Sequence, residues 1–203
     1  MTARNKSTKY GIIIILLILA TAAYFIYNLQ SSNKLPVVQP APDFELEELS
    51  GGVFKLSEQA GKVMLMEFMF TSCPDICPAT TYNMVLLQDE LNKQGIFGKN
   101  VQFAAITFDP NTDTPEVFQA YAERMGIDQS GWRLLRGDEE YTIQKAKEYG
   151  IGVQRLADNQ FVHTVTSLLL IDANQQVRKV YRMGEEMDNG LILKDIRSLL
   201  KER

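Results

Sequence analysis

The chain has 203 residues, 45% hydrophobic and 23% charged, enough for one ordinary domain and an appendage. Its 21 basic residues face 25 acidic ones, and Arg4, Lys6, Lys9 and Lys34 all precede the first acid, Asp43. The body is therefore acidic, which excludes a nucleic-acid binder, because phosphate contacts need clustered Lys and Arg.

The N-terminal run Gly11 to Tyr27 carries no charge. As a helix it reaches about 26 Å, close to the hydrocarbon thickness of a bilayer. It reads as a transmembrane anchor over 11–28, with residues 1–10 cytoplasmic because Arg4, Lys6 and Lys9 precede it. Tyr24, Phe25 and Tyr27 suit the outer interface. Ala20-Thr21-Ala22 also resembles a signal-peptide cleavage site, although apolar residues continue past it. No cysteine lies near for a lipoprotein anchor, and ten residues leave no room for a mitochondrial transit peptide. Either reading delivers the domain outside the cytoplasm, where disulfides persist. Residues 29–42 hold three of the seven prolines and read as a polar tether.

From Asp43 onward the chain reads as one domain, 43–203. "DFELEELSGGVFKL" alternates around Gly51-Gly52 and predicts a hairpin with Phe44, Leu46, Val53 and Leu56 on its apolar face. "KVMLMEFMF", Lys62 to Phe70, is a buried strand, with Met64, Met66 and Met69 as core packing. The only cysteines, Cys73 and Cys77, follow at once in "TSCPDICP". Next comes a helix with Met84, Leu87 and Leu91 on one face, ending at Gly95. "VQFAAITFD" is a second buried strand. "DTPEVFQAYAERMG" is a helix capped by Thr114, opened by Pro115 and stopped by Gly126. "WRLLRG" is a short strand whose Trp132 belongs to packing, and "DEEYTIQKAKEYG" is a helix. "TSLLLIDANQQVRKVY" is a hairpin turning at Asp172 to Gln175, and an amphipathic helix closes the chain. This β-α-β-α-β-α-β-β-α order predicts an α/β, thioredoxin-like fold with an N-terminal β-hairpin extension, preceded by one transmembrane helix. Nothing in the sequence suggests an obligate dimer.

Three readings fit the cysteine pair. As a structural staple it closes a very short loop, worth about 2 kcal/mol against nearly 5 for a long one. As a redox pair it gains from the helix entrance, where unpaired N–H groups favour a thiolate. C-x-x-x-C is, however, one residue wider than the common C-x-x-C redox motif. As a metal site it offers two soft donors suited to Cu(I), and it needs a third. The single histidine, His163, lies just before the C-terminal hairpin, in a loop that the fold returns beside the cysteines. Thioredoxin-type enzymes hold a cis-proline there, but this chain has no proline after Pro115.

These residues resemble the Sco (SenC) family of copper-binding assembly proteins. "TSCPDICP" matches its CxxxCP motif, "DPNTDTPE" its D-x-x-x-D-x-P pattern through Asp109, Asp113 and Pro115, and His163 its histidine. The resemblance implies one copper, Cu(I) or Cu(II), held by Cys73, Cys77 and His163. It implies a role in assembling the dinuclear copper (CuA) centre of cytochrome c oxidase, as copper donor, thiol reductase or both. The copper-centre subunit of that oxidase is then the partner, at a bacterial cell membrane. Asp109 and Asp113 fall in a nearby loop, as groups behind the ligands or facing the partner, and "DTPE" also caps a helix. Many members carry Asp before the histidine, where this chain has Val162. The rival expectation is an enzyme without copper: a thiol–disulfide oxidoreductase, with Cys73 and Cys77 catalytic, or a thiol peroxidase or redox sensor.

Overall fold

In the computed structural model the backbone is described for residues 4–31, 34–155, 161–163 and 167–202, and the side chains for 10–22, 24–25, 34–154 and 167–202. The chain divides into two units, Met1–Lys34 and Leu35–Arg203.

The first unit is a single helix, α1 (Arg4–Ser31). Its uncharged stretch is helical as expected, and Ile12 through Leu19 are 52–60% exposed. The expected membrane-spanning helix is not supported, because among the described residues no helix is long and apolar enough to cross a membrane.

The second unit begins with β1 (Gln39–Pro40), inside the expected tether. β2 (Glu45–Glu48) and β3 (Val53–Lys55) form the predicted hairpin. Its inward face is Phe44, Leu46, Phe54 and Leu56, each no more than 3% exposed, whereas Val53 is 56% exposed. The register explains the correction: Phe54 pairs opposite Leu46, and period-two alternation then turns Val53 to solvent.

Then follow β4 (Val63–Met69), α2 (Ile76–Lys93), β5 (Val101–Thr107), α3 (Pro115–Met125), β6 (Trp132–Arg136) and α4 (Glu139–Glu148). β7 (Val153–Arg155) and β8 (Phe161–His163) pair with each other, and β9 (Leu168–Ile171), β10 (Gln176–Tyr181) and α5 (Asn189–Leu200) complete the chain. The main sheet runs β1-β10-β9-β4-β5-β6-β2-β3. β4, β5 and β6 are parallel, and β9 lies antiparallel to β4. This is the thioredoxin-like order with the hairpin added at one edge.

Every residue of β4 and β5 is buried, as continuous apolar runs require of strands covered on both faces. The three strand methionines lie in this core, and Trp132 stacks edge-on against Phe103 at 5.2 Å. The helices start and stop where the sequence marks them: Thr114 accepts from the Val117 N–H, Pro115 opens α3, and Gly126 ends it at a φ of 77°.

The tether is partly docked. Gln39–Pro40 pairs with β10, and the buried Arg178 donates to the carbonyl of Leu35 while pairing with Asp172 and Glu202 at 2.7 and 3.0 Å. The folded unit therefore begins before Asp43.

Candidate functional site

β4 ends at Met69, and the chain must turn before α2 can start at Ile76. The cysteines sit in that turn and in the first turn of the helix. The Cys73 N–H donates to the carbonyl of Phe70, and Pro74 and Pro78, which lack N–H groups, follow each cysteine. Asp75 occupies the cap position of α2 without giving a side-chain cap, and no acid lies in the first turn. The helix entrance thus keeps its partial positive charge for another acceptor.

The Cys73 sulfur is that acceptor. The Cys77 thiol donates to it, and so do the backbone N–H groups of Asp75, Cys77 and Ile76; together these outweigh burial and lower the Cys73 pKa from 9.0 to about 6. Cys77 moves the opposite way. Donating to Cys73, burial and the negative charge on Cys73 all hold its proton in place. The two cysteines are not joined in a disulfide, and Cys73 is 9% exposed against 0% for Cys77. At neutral pH the pair is one thiolate and one thiol sharing a proton, with the thiolate on the more accessible sulfur.

Asp113 holds the approach to this turn. It is fully buried and accepts from the N–H and hydroxyl of Thr71, two residues before Cys73, and from the Thr107 hydroxyl. Burial raises its pKa, and the threonine hydrogen bonds oppose that rise. Its carbonyl accepts from Arg136 at 2.7 Å. Asp109, 5% exposed, shapes the same loop: its carbonyl accepts from the Asp113 N–H at 2.8 Å and its own N–H donates to Thr107. Both carboxylates lie beneath the surface, and Asp113 reaches the cysteine turn through Thr71.

The His163 backbone lies in β8, paired with Val153. Its side chain, like that of Val162, is outside the described residues. Among the described residues no group of three or more His, Cys, Asp and Glu side chains is placed to hold a metal ion. The described donors are therefore the two sulfurs.

Glu67, Thr71 and Thr107 escaped the sequence reading. Glu67 lies in β4, six positions before Cys73, fully buried, and neither carboxylate oxygen has a hydrogen-bond partner among the described residues. Burial, and then the negative charge on Cys73, raise its pKa from 4.5 to about 8. Nearby, the Tyr121 and Thr81 hydroxyls share a 2.8 Å hydrogen bond, and burial and then the charge on Glu67 raise the Tyr121 pKa. The available signal was a lone carboxylate inside an otherwise apolar strand. Thr71 and Thr107, which carry the Asp113 clamp, gave no such signal.

Fold and site together define a thioredoxin-like α/β domain with an activated dithiol at a strand–helix junction. Residues 34–201 match the SCO1/SenC family model, and the chain belongs to that family. An SCO2-like protein of Rickettsia conorii is 34% identical over 194 residues, covering 88% of this chain and 91% of that protein. An SCO2-like protein of Rickettsia felis is 35% identical over 131 residues, 60% of this chain, and the match spans 62% of that protein's length. A SCO1/SenC family lipoprotein from Bacillus anthracis superposes with a TM-score of 0.72 at 30% identity, covering 79% of this chain and 95% of that one. Yeast Sco1 with copper bound shares the fold, with a TM-score of 0.65 at 24% identity over 81% and 90% of the two chains.

Two outcomes follow from the electrostatics. Alkylation of reduced protein by iodoacetamide, followed by mass spectrometry at Cys73, should titrate with a midpoint near pH 6. Cys77→Ala removes the leading stabiliser of the thiolate and should move that midpoint up, towards the ordinary thiol value. An unmoved midpoint would mean that the helix entrance alone activates Cys73. For Glu67, a raised folded pKa means that burial favours the neutral form. Its contribution to stability is complete below pH 4.5 and is lost as pH rises through about 8. Wild-type denaturant midpoints should therefore fall between pH 5 and pH 9, and Glu67→Gln should flatten that fall. An equal fall in both proteins would show that Glu67 does not titrate in this window.

Proposed function

We propose that this chain is a membrane-tethered, extracytoplasmic copper chaperone of the Sco family. It binds one copper ion through Cys73, Cys77 and His163 and assists assembly of the CuA centre of cytochrome c oxidase. The observation that carries the reading is the dithiol sharing one proton at the entrance of α2. Family membership and the copper-bound yeast relative support copper as the cargo.

The chemistry follows from the donors. Two thiolates are soft and favour Cu(I), and an imidazole extends the site to Cu(II). Cys73 is already a thiolate at neutral pH, so loading needs release of only the Cys77 proton. The low pKa of Cys73 keeps one ligand ready, and the proton on Cys77 gives the empty site a cost to overcome. A site of three ligands leaves copper open to exchange with a client's cysteines. Joining the two sulfurs in a disulfide removes both donors, so carrying copper and storing oxidising equivalents exclude one another.

A specific observation favours a second reading, thiol–disulfide exchange with a client. Cys73 is the activated, more accessible sulfur, and Cys77 is buried and protonated behind it. In such exchange Cys73 attacks a client disulfide, and Cys77 then resolves the mixed disulfide, leaving the client reduced and the pair oxidised.

The test is a Cu(I) titration of the reduced full-length protein in detergent against a chromophoric chelator. One equivalent should bind. Cys73→Ala and Cys77→Ala should each abolish uptake, and His163→Ala should weaken it about tenfold or more, in the range seen when a metal shell loses a partner. No uptake at one equivalent sinks the chaperone reading. Retained disulfide exchange in His163→Ala would separate the two duties.

The tether rests on the uncharged run, its basic flank and the exposed aliphatic side chains of Ile12 to Leu19. It keeps the domain beside a membrane-bound client and raises its effective concentration. Carbonate extraction of membranes should leave the full chain in the pellet, whereas a chain starting at Leu35 should be released. Release of both would remove the anchor from the proposal.

A further inference from the structure

A groove of about 630 Å³ opens beside the cysteine turn. One wall is Asp75 and Ile76, two of the three residues between the cysteines, and the other is the end of β10 and the loop after it, including Val180, Arg182, Glu185 and Glu186. Asp75, Val180, Arg182, Glu185 and Glu186 are all exposed, so the groove cannot close around a small molecule as a ligand pocket does. It suits a chain laid along it.

The far wall is held stiffly. The Gly184 N–H donates to the Thr80 hydroxyl at 2.8 Å, and Asn83 donates to the Gly184 carbonyl at 3.1 Å. A Cβ at Gly184 would meet Cγ1 of Ile76 at 2.9 Å, and its φ is 76°. Only glycine lets this loop lie so close to the first turns of α2. The wall is therefore fixed to the same helix that begins at the dithiol, which fixes the groove's direction relative to Cys73.

The lining has an apolar floor and a charged rim. Ile76, Val180 and Met183 supply the apolar surface, and Asp75, Glu185 and Glu186 outnumber Arg182, which is itself paired with Glu186 at 2.5 Å. We propose that this groove docks an extended, positively charged polypeptide segment flanking a client cysteine, and so delivers that cysteine to Cys73. Three features favour this occupant: Asp75 and Ile76 of the cysteine turn line the groove, its rim is net negative, and its exposed walls fit a polypeptide rather than a small solute. The proposal rests on the reading that Cys73 and Cys77 act on a client's cysteines, and it adds the chemistry by which the client is recognised.

The test uses reduced full-length protein in detergent and two synthetic peptides. Each carries one cysteine as a nitrothiobenzoate mixed disulfide, flanked by lysines in one peptide and by glutamates in the other. The Cys73 thiolate attacks the peptide sulfur. A Cys73–peptide S–S bond forms as the aryl S–S bond breaks, and the coloured aryl thiolate leaves with the electron pair. The lysine peptide should react about tenfold faster than the glutamate peptide, the low end of electrostatic steering, and added salt should shrink the ratio. Glu185→Gln with Glu186→Gln should bring the ratio close to one while leaving the rate with a small uncharged disulfide unchanged. Glu90→Gln with Glu123→Gln, elsewhere on α2 and α3, should leave the ratio as in wild type.

A wild-type ratio near one overturns the proposal, and so does a ratio that survives the groove replacements. A ratio that falls equally in the Glu90 and Glu123 variant also overturns it, since the preference would belong to the whole acidic body. If the small disulfide itself fails to react, the thiol chemistry fails, and the groove with it. Normal copper uptake and small-disulfide reactivity without a charge preference would remove the groove alone.

Discussion

The structure turns on one electrostatic fact: α2 begins without a side-chain cap, and the Cys73 sulfur takes the place of one. Free N–H groups at a helix entrance must find an acceptor, and an anionic acceptor gains from the dipole as well. The Cys77 thiol, one residue inside the helix, points its proton at the same sulfur. Three residues between the cysteines allow both arrangements at once, because one sulfur lies on the turn before the helix and the other within its first turn. The prolines after each cysteine remove N–H groups where the turn has no use for them.

The rest of the domain makes that turn rigid. β4 feeds it from the middle of the sheet, between β5 and β9, so its last residue cannot shift without disturbing two ladders. Asp113 then ties Thr71 to Thr107, linking the turn after β4 to the end of β5. Arg136 at the end of β6 holds the Asp113 and Pro110 carbonyls in turn. Three parallel strands thus converge on Asp113 at their C-terminal ends, β4 and β5 through its carboxylate and β6 through its backbone carbonyl, where α/β sheets place their chemistry. Glu67 works against this economy. A buried carboxyl group without a partner among the described residues costs stability when charged, and it lies close enough to feel the charge on Cys73. The charge on Cys73 disfavours the ionised form of Glu67, so between about pH 6 and about pH 8 Glu67 stays neutral while Cys73 is a thiolate.

Much of this was legible in the sequence, for identifiable reasons. β4 and β5 announce themselves as unbroken apolar runs, and α3 as Thr114, Pro115 and Gly126 in their proper places. The cysteine pair stood out because the chain has no others. What was not legible depended on contacts between distant segments. Val53 and Phe54 are equally apolar neighbours, and only pairing with Leu46 decides which faces inward. β7 and β8 are three residues each, too short for a period to show. The docking of Leu35 depends on Arg178 and that of Gln39 on Val177, each well over a hundred residues away. The motif holding Asp109 and Asp113 drew attention to both, but that Asp113 grips Thr71 required the fold. Glu67 was hidden because a strand that is otherwise apolar invites a packing interpretation of every position.

The paired thiols also set a limit on how this domain can meet its client. A sulfur stabilised by hydrogen bonds is a weaker nucleophile than its ionisation alone suggests, since each bond that lowers the pKa also draws on the lone pairs. Such a thiolate is held ready rather than made aggressive. For a carrier this is useful: the donor is available to a soft ion and slow towards chance oxidants. Specificity must then come from proximity, because a modest nucleophile reacts with what is held beside it. That places a demand on the surface around the turn. The near wall there is formed by Asp75 and Ile76, and the far wall is bolted to α2 through Gly184, Thr80 and Asn83. One helix terminus thus fixes the thiolate on one side and the wall of the proposed docking groove on the other.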